Sequence, residues 1–416
     1  MRLVVFRALR HRNFALFASG QAVALVGYWM QSLAQSWLLY RLTGSAMLLG
    51  VLGFASSLPI LLLAPLAGLW SDRANLHRTM FTIQALEMLQ AIAMAALAVA
   101  GIIAPWHIIT LSMAMGVLVA IEIPVRHAYL LELVGGKDDL SNAVAVNSLI
   151  GNAGRLVGPA IAGVVIAAYG EAACFVVNAL TFVAVLVSFM MIRVRPSPRP
   201  ASHPPLMRGL AEGFAYAWRS VPIRLLLTVL AAVSLLATPY MTLMPALVRD
   251  VYGGGANAMG FLVGAAGLGG VCGTLFLASR PNVRGLVGVI AGASFGAGAA
   301  LALLSWTGRI WIALPLLAMT GFGILVTSVS VNMILQTIVD DDKRGRVMSL
   351  YTAAFLGMAP LGAIAAGTLA DFIGVGPTLT AGGILSALAG LYLAGKRALL
   401  REHMGPIYAR LGIAAG

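Results

Sequence analysis

Twelve apolar stretches, each long enough to cross a bilayer as a helix, occupy nearly all of the 416 residues. A membrane-spanning helix needs about 20 consecutive, mostly apolar residues. Apolar residues make up 60% of the chain and charged residues 10%, which leaves too few polar groups to cover a soluble domain. The predicted spans are 14–40, 46–70, 78–101, 105–131, 142–168, 172–192, 222–248, 257–279, 285–305, 310–337, 347–371 and 376–395. The fold is expected to be an all-α polytopic membrane protein.

The net charge of +13 is distributed as a topology signal. If the N-terminus is cytoplasmic, 22 of the 27 Lys and Arg residues lie in segments on that side, and only three lie in the opposite loops. Cationic residues are retained on the cytoplasmic side of a membrane. Both termini are therefore predicted to be cytoplasmic, and the basicity requires no nucleic-acid partner.

The longest polar stretch, residues 193–208, contains five prolines and lies between the sixth and seventh spans. This composition predicts an extended cytoplasmic linker. Residues 209–219 then carry apolar and aromatic residues at helical spacing, as in a helix that lies in the membrane interface. The predicted organisation is a six-helix half over 1–192, a linker with an interfacial helix over 193–220, and a second six-helix half over 221–416.

The two halves share a pattern of glycine and proline. The fifth span has Gly163 and Gly170, and the eleventh has Gly367 and Gly374, with the same spacing of seven and a proline upstream in both. Duplicated halves are typical of secondary transporters, in which the substrate binds near the midplane between halves that rock against each other.

The loop between the second and third spans, GLWSDRANLHR, resembles the signature loop of the major facilitator superfamily. Its charges predict a cytoplasmic latch that holds one half until the transport cycle breaks it; the alternative is a solvated turn that only anchors the topology. The matching loop of the second half, 279–284, keeps two arginines but lacks the aspartate. The latch residues are Gly68, Asp72, Arg73 and Arg78.

Three segments narrow the resemblance: PVRHAYLLELV from Pro124, LSNAVAVNS from Leu140 and RLVGPAIAG from Arg155. They are similar to the enterobactin-exporter-like branch of the superfamily, which includes siderophore and macrolide exporters. The resemblance implies twelve transmembrane helices in two six-helix halves, the major facilitator fold. It also implies a small-molecule substrate, a monomer, and a place in the bacterial inner membrane.

The Gly-Pro element of the fifth span resembles the motif associated with antiporters of the superfamily, which favours export over import. Its members are Arg155, Gly158, Pro159 and Gly163. Proline removes a backbone donor and kinks a helix, while the glycines allow close packing. Arg155, on one face with Asn152, could bind an anionic substrate or pair with a carboxylate of another helix.

Ionisable residues inside the membrane are costly and point to function. Glu122 and Arg126, four residues apart on the fourth span, share a helix face. Because that helix lines the cavity in the resembled fold, Glu122 is predicted to exchange protons, with Arg126 tuning its proton affinity; a structural ion pair is the alternative. For Glu87 on the third span, a buried packing contact is predicted in preference to a role in proton coupling.

Two polar stripes are predicted to line the cavity, since amides facing lipid would be unfavourable. The stripe on the first span consists of Tyr28, Gln31 and Gln35, and the stripe on the tenth span consists of Ser328, Asn332 and Gln336.

No cofactor or metal is expected, because the GLYLAGKR segment lacks the Ser or Thr of a phosphate-binding loop and no metal-ligand spacing occurs. The predicted function is a proton antiporter that exports a small amphipathic molecule, a siderophore or a drug-like compound. The alternatives are an importer or uniporter of the same fold, and a lipid flippase or membrane-embedded enzyme.

Overall fold

The computed structural model describes residues 7–71, 74–136, 138–193, 214–280 and 282–410. These residues form long helices and no strands. The first six are α1 (Arg12–Thr43), α2 (Ala46–Ser71), α3 (Leu76–Val99), α4 (Pro105–Val134), α5 (Leu140–Tyr169) and α6 (Glu171–Met191). The next six are α7 (Val221–Leu236), α8 (Ala256–Ala278), α9 (Leu286–Leu304), α10 (Ile310–Ile338), α11 (Asp341–Ile373) and α12 (Val375–Gly395), followed by α13 (Arg397–Arg410).

Each of the twelve predicted spans overlaps one of the helices α1 to α12, although the seventh span extends past the end of α7. By length and composition, eleven segments can each cross a membrane, one for each of α2 to α12; the segment that contains α7 continues to Tyr240. Helix α1 is more polar, but its 32 residues make it about 48 Å long at 1.5 Å per residue. The prediction of an all-α polytopic membrane protein is confirmed. The short interfacial helix is described only over 214–219, and sequence reasoning missed α13.

The prediction of one continuous helix over 222–248 is wrong. Helix α7 ends at Leu236 and is followed by a 3₁₀ turn at Thr238–Tyr240, a short turn at Met244–Ala246 and a π-turn at Leu247–Val251. Pro239 and Pro245 lie in this broken region. Proline lacks the N–H that continues a helix and clashes with the preceding turn, so the apolar run persists while the helix does not.

Helix α11 begins earlier than predicted, at Asp341, and contains a π-turn at Ala353–Gly357. A π-turn frees a backbone carbonyl from the regular helical pattern. The carbonyl of Phe355 accepts a hydrogen bond from the hydroxyl of Ser234 on α7. This bond gives both the buried serine and the irregular backbone a partner.

The chain divides into two compact units that differ from a simple cut at the linker. The first unit comprises residues 1–44, 51–203 and 254–264, and the second comprises residues 45–50, 204–253 and 265–416. The core of the first unit contains Phe17, Tyr129 and Phe189, whose ring centroids lie 5.9–6.0 Å apart. Edge-to-face contacts such as Phe17 with Tyr129 are favoured between aromatic rings.

Within the second unit, the start of α2 packs closely on α11. A Cβ placed on Gly50 would lie 2.5 Å from the carbonyl oxygen of Ala363, and one on Gly367 would lie 2.9 Å from the Cα of Gly50. Asp371 accepts hydrogen bonds from the Ser45 hydroxyl at 2.8 Å and the Ala46 amide at 2.7 Å. A carboxylate of α11 therefore caps the N-terminus of α2, which leaves amide groups free of helical partners.

Within the first unit, the start of α8 packs on α5 in a similar way. A Cβ on Gly163 would lie 2.8 Å from the carbonyl oxygen of Ala256, and one on Gly260 would lie 2.6 Å from that of Pro159. Gly163 and Gly367, which occupy matching positions in the repeated sequence pattern, thus both meet the start of another helix. Only glycine allows backbones to approach this closely.

In the second unit, the backbones of α8 and α10 approach each other more closely than those of the two helix pairs described above. This contact leads to a prediction about stability. A Cβ on Gly269 would overlap the backbone carbonyl of Ala318. Gly269→Ala is expected to destabilise the protein by about 1–3 kcal/mol, because two helix backbones must separate. Gly292→Ala on α9 is the matched control, since a Cβ there has no heavy atom within 4 Å. Thermal unfolding in detergent measures both variants; equal melting temperatures would contradict the prediction.

The segment before α1 is attached to the start of α5. Arg7 and His11 both bind the carboxylate of Asp139, with His11 Nε2 at 2.8 Å from Oδ2. The backbone amide of Ala8 donates to the side chain of Asn142 at 2.8 Å. The hydrogen bond from His11, followed by the contributions of Arg7, lowers the pKa of Asp139, against the opposing effect of desolvation. The ion pair therefore persists at neutral pH on the predicted cytoplasmic side.

Candidate functional site

The first unit contains a buried cluster of two carboxyl groups and one guanidinium group, contributed by α3 and α4. Glu87 and Glu122 are 4% and 6% exposed. The Gln84 amide nitrogen donates to Glu87 at 2.9 Å and to Glu122 at 3.3 Å. Arg126 Nη1 lies 3.4 Å from the Oε1 of Glu122. The predicted pair of Glu122 and Arg126 is thus present, and Gln84 connects Glu87 to it.

The charges in this acid–arginine cluster do not balance when both acids are ionised. Two carboxylates then face a single guanidinium, and a buried unpaired charge is strongly unfavourable. Arg126 Nε and Gln84 Oε1 are buried with no hydrogen-bond partner among the described residues. The cluster therefore has a polar donor and acceptor free to bond differently when its protonation changes.

Tyr28 of α1 lies at the edge of the acid–arginine cluster, within electrostatic range of Glu87, Glu122 and Arg126. Its ring packs against Ala91, Met115 and Phe182, an apolar group formed by α3, α4 and α6. Tyr28 therefore brings α1 close to the carboxyl groups of α3 and α4. The sequence-based prediction placed Tyr28 in a cavity lining, and the structure places it half-buried in the first unit.

A network of buried amides lies beside the cluster. Gln31 donates to Gln90 at 3.0 Å and accepts from Asn178 of α6 at 2.8 Å. Gln90 also donates to the Leu111 carbonyl at 3.2 Å, and Gln35 accepts from Ser112 at 3.2 Å. Gln31 is 3% exposed, so in this conformation both ends of its amide are bonded to neighbours inside the first unit.

Sequence reasoning did not identify Asn178 as part of the polar interior. Asn178 is the one amide side chain of α6, whose other residues are mostly apolar, and this was the available signal. Tyr129 lies seven residues after Glu122 on α4, and its hydroxyl lies 2.7 Å from His77 Nδ1. Tyr129 is fully buried in the aromatic core, where its ring contacts Phe17 and Phe189.

The Gly-Pro element of α5 has a direct packing role against α1. A Cβ on Gly154 would lie 3.0 Å from that of Leu25, and one on Gly158 would lie 2.6 Å from that of Trp29. The Arg155 guanidinium lies 5.5 Å from the centroid of the Trp29 ring, a cation–π geometry. Arg155 and Asn152 are exposed, and Asn152 donates to the carbonyl of Ser148.

On α10 the predicted polar stripe changes in exposure along its length. Ser328 is 3% exposed and lies 2.8 Å from the hydroxyl of Tyr351 on α11. Asn332 is half-buried, and Gln336 is exposed and donates to Asn332. The stripe therefore runs from a closed serine–tyrosine contact to accessible amides.

Of the predicted latch, Asp72 and Arg73 lie outside the described residues, and Gly68 falls near the end of α2. Arg78 is exposed in the first turn of α3. Its backbone amide donates to the Asn75 side chain at 3.1 Å, which caps the helix. The latch remains a prediction.

A potential metal centre is absent from the described part of the chain: no three His, Cys, Asp or Glu side chains come together there.

In the part of the chain that the structure describes, eleven segments have the length and composition of membrane spans, and the chain is a multi-pass transporter of the major facilitator type. The sequence profile of the transmembrane secretion effectors matches residues 4–404, and the chain belongs to this family. The family and its relatives are transporters and not enzymes, which excludes the membrane-embedded enzyme.

The relatives confirm the resemblance to the exporter branch. The chain is 28% identical to the staphyloferrin A transporter of Staphylococcus aureus, over 88% of this chain and 92% of that protein. It is 26% identical to the multidrug efflux pump Tap of Mycolicibacterium fortuitum, over 91% of both chains. It is also 28% identical to the enterobactin exporter EntS of Shigella flexneri, over 56% of this chain and 55% of that one.

Among solved structures, the nucleoside transporter NupG has the same fold. The TM-score is 0.73 at 12% identity, with 92% of this chain and 98% of that chain covered. At this identity the similarity concerns the fold alone.

Proposed function

We propose that this protein exports a small amphipathic molecule, a siderophore or a drug-like compound, in exchange for protons by alternating access. It acts as a monomer in the bacterial inner membrane, with both termini in the cytoplasm. The observation that carries the proton-coupling part is the buried pair Glu87 and Glu122 around the single guanidinium of Arg126. The siderophore and multidrug relatives support the substrate class and the outward direction.

The proton is bound by the carboxyl pair as a unit. With one proton on the pair, the remaining carboxylate and Arg126 form a neutral cluster that tolerates burial. Loss of that proton leaves one negative charge, which favours a conformation in which the cluster meets water. A ligand shifts a conformational equilibrium only by its different affinity for the two states, and here the proton is that ligand.

Substrate contacts are expected from polar groups that stay accessible. Arg155, exposed and stacked on Trp29, suits a carboxylate or another acidic group of a siderophore. Asn332 and Gln336 supply amide donors and acceptors on α10. Gln31 and Gln35 become available only if the amide network of α1, α3 and α6 opens during the cycle.

The direction of transport is tested in everted membrane vesicles with an acidic lumen, monitored by a pH-sensitive dye. Adding a transported compound is expected to discharge the pH gradient while the compound accumulates in the lumen, since the lumen corresponds to the outside of the cell. The panel contains a carboxylate siderophore, a catecholate siderophore, a macrolide and a neutral sugar as the control. Vesicles without the protein give the baseline.

Three results would contradict the proposal. Movement of the compound down its gradient with no proton flux supports a uniporter, and proton-linked uptake in right-side-out vesicles supports an importer. Proton-dependent translocation of a fluorescent phospholipid, with no movement of any panel compound, supports a lipid flippase.

A further inference from the structure

A cationic cluster surrounds the first turn of α9 at the end of the helix predicted to be cytoplasmic. Arg397 of α13 donates from Nη2 to the carbonyl of Gly288 at 2.9 Å. The Nη1 of Arg280 lies 4.0 Å from the position a Cβ would take on Gly285. Because Gly285 and Gly288 are three residues apart, both guanidinium groups lie at the first turn of α9.

A third cation extends the cluster toward α13. Arg284 lies near Tyr408: burial raises the pKa of this tyrosine to about 12, and the charge of Arg284 opposes that rise. Helix α9 begins without a side-chain cap and with no acidic residue in its first turn. The positive end of its dipole therefore adds to the three arginines.

This positive charge has no counter-charge in the part of the chain that the structure describes. None of Arg280, Arg284 and Arg397 forms an ion pair there with an Asp or Glu. Arg280 Nε is buried without a hydrogen-bond partner among those residues, and its guanidinium stacks 4.9 Å from the centroid of the Phe276 ring. Three cations held together without an acid repel one another unless an anion joins them.

The matching loop of the first half shows which counter-charge the second half lacks. The loop between α2 and α3 carries Asp72 beside its two arginines, whereas the matching loop between α8 and α9 keeps Arg280 and Arg284 and has no aspartate. In the second unit the counter-charge must come from outside the loop.

The surroundings of the three arginines indicate which class of anion binds there. Helix α13 is amphipathic, with Leu400 and Met404 buried and Arg401 exposed. Leu391 and Tyr392 of the adjoining α12 are 50% exposed, on a helix of membrane length. An apolar helix surface next to cations is the environment of a lipid headgroup, and arginine binds phosphate oxygens through pairs of N–H groups.

We propose that Arg280, Arg284 and Arg397 bind the phosphodiester headgroup of an anionic phospholipid of the cytoplasmic leaflet, at the junction of α8, α9 and α13. The phosphate supplies the acceptor that Arg280 lacks and neutralises the cluster. The acyl chains lie along the exposed apolar face of α12. This site is separate from the acid–arginine cluster of the first unit.

The test is native mass spectrometry of the full-length protein in detergent, titrated with phosphatidylglycerol or with phosphatidylcholine. Wild type is expected to retain phosphatidylglycerol and to lose phosphatidylcholine. Arg280→Gln combined with Arg397→Gln is expected to weaken phosphatidylglycerol binding about 10- to 30-fold, since each arginine near an anionic surface contributes about 1 kcal/mol. Arg280→Lys with Arg397→Lys keeps the charges and should retain part of the affinity.

Lys396→Gln is the matched control, because Lys396 neighbours Arg397 in the chain but lies over the Tyr392 ring, 5.8 Å from its centroid. It removes a charge from the same region and should leave lipid binding unchanged. Unchanged binding in the double glutamine variant, or equal retention of both lipids by wild type, would overturn the proposal. Inorganic phosphate that displaces phosphatidylglycerol at millimolar concentration would assign the site to a soluble phosphate instead of a lipid.

Discussion

Glu87→Gln and Glu122→Gln are each expected to abolish efflux driven by a pH gradient while substrate binding survives. Either change leaves one carboxylate opposite Arg126. The resulting ion pair is neutral and has no reason to take up a proton. Glutamine imitates the protonated acid in shape and keeps a hydrogen-bond acceptor for Gln84. The measurement is efflux in proteoliposomes with an imposed proton gradient, together with substrate binding measured at several pH values.

The pH profile of binding separates a coupling role from a structural one. In wild type, substrate and proton compete, so binding should weaken as the pH falls; in either variant this dependence should become weaker. Glu171→Gln is the matched control, because Glu171 is also buried and paired with an arginine, Arg41, at 3.1 Å. It lies outside the acid–arginine cluster and should keep gradient-driven efflux.

Undiminished gradient-driven efflux by Glu122→Gln would move proton exchange away from this residue. Loss of efflux in Glu122→Gln but not in Glu87→Gln would assign coupling to Glu122 alone and return Glu87 to a packing role. Should both variants remain active, Glu132 on α4 is the next acid to test.

Arg126→Met is expected to have the largest effect on stability. It removes the only cation of the acid–arginine cluster and leaves two buried carboxyl groups without a counter-charge. Breaking a buried ion pair from one side costs about 3–5 kcal/mol. The folded yield and the melting temperature in detergent, measured by fluorescence-detected size exclusion, should both fall strongly.

A second substitution distinguishes charge imbalance from lost packing. Arg126→Met combined with Glu122→Gln removes both charges of the pair and should recover a large part of the lost stability. Arg155→Met is the control, because this guanidinium is exposed and lies over the Trp29 ring, so its loss should cost little. If the double variant is no more stable than Arg126→Met, the arginine acts through packing and not through charge.

Part of the site could be predicted because helical spacing is local. Residues four apart on a helix share a face, so Glu122 and Arg126 were expected to meet, and they do. The contact between the two helices could not be predicted in this way. Gln84 and Glu87 are three residues apart on α3, and the packing of α3 on α4 brings the Gln84 amide to Glu122. The packing role predicted for Glu87 stays a prediction.

The broken helix of the seventh span is a second feature that the sequence alone did not predict. The apolar run over 222–248 was expected to be a single helix, yet it breaks where Pro239 and Pro245 interrupt it. These prolines are visible in the sequence, but prolines within α4, α5 and α10 are accommodated. Whether a proline ends a helix depends on the partners that its freed backbone groups find, and only the packed structure supplies them.

The sequence by itself determined the twelve spans, the repeated glycine pattern and the distribution of charge, because the bilayer constrains hydrophobic length and retains cations on one side. These are properties of each segment taken alone. Only the tertiary structure decided that Gln84 links Glu87 to Glu122, that Gln31 bonds Gln90 and Asn178, and that Arg280 and Arg397 both lie at the first turn of α9. Each of these contacts joins residues on different helices, and it depends on how closely their backbones approach and at what rotation.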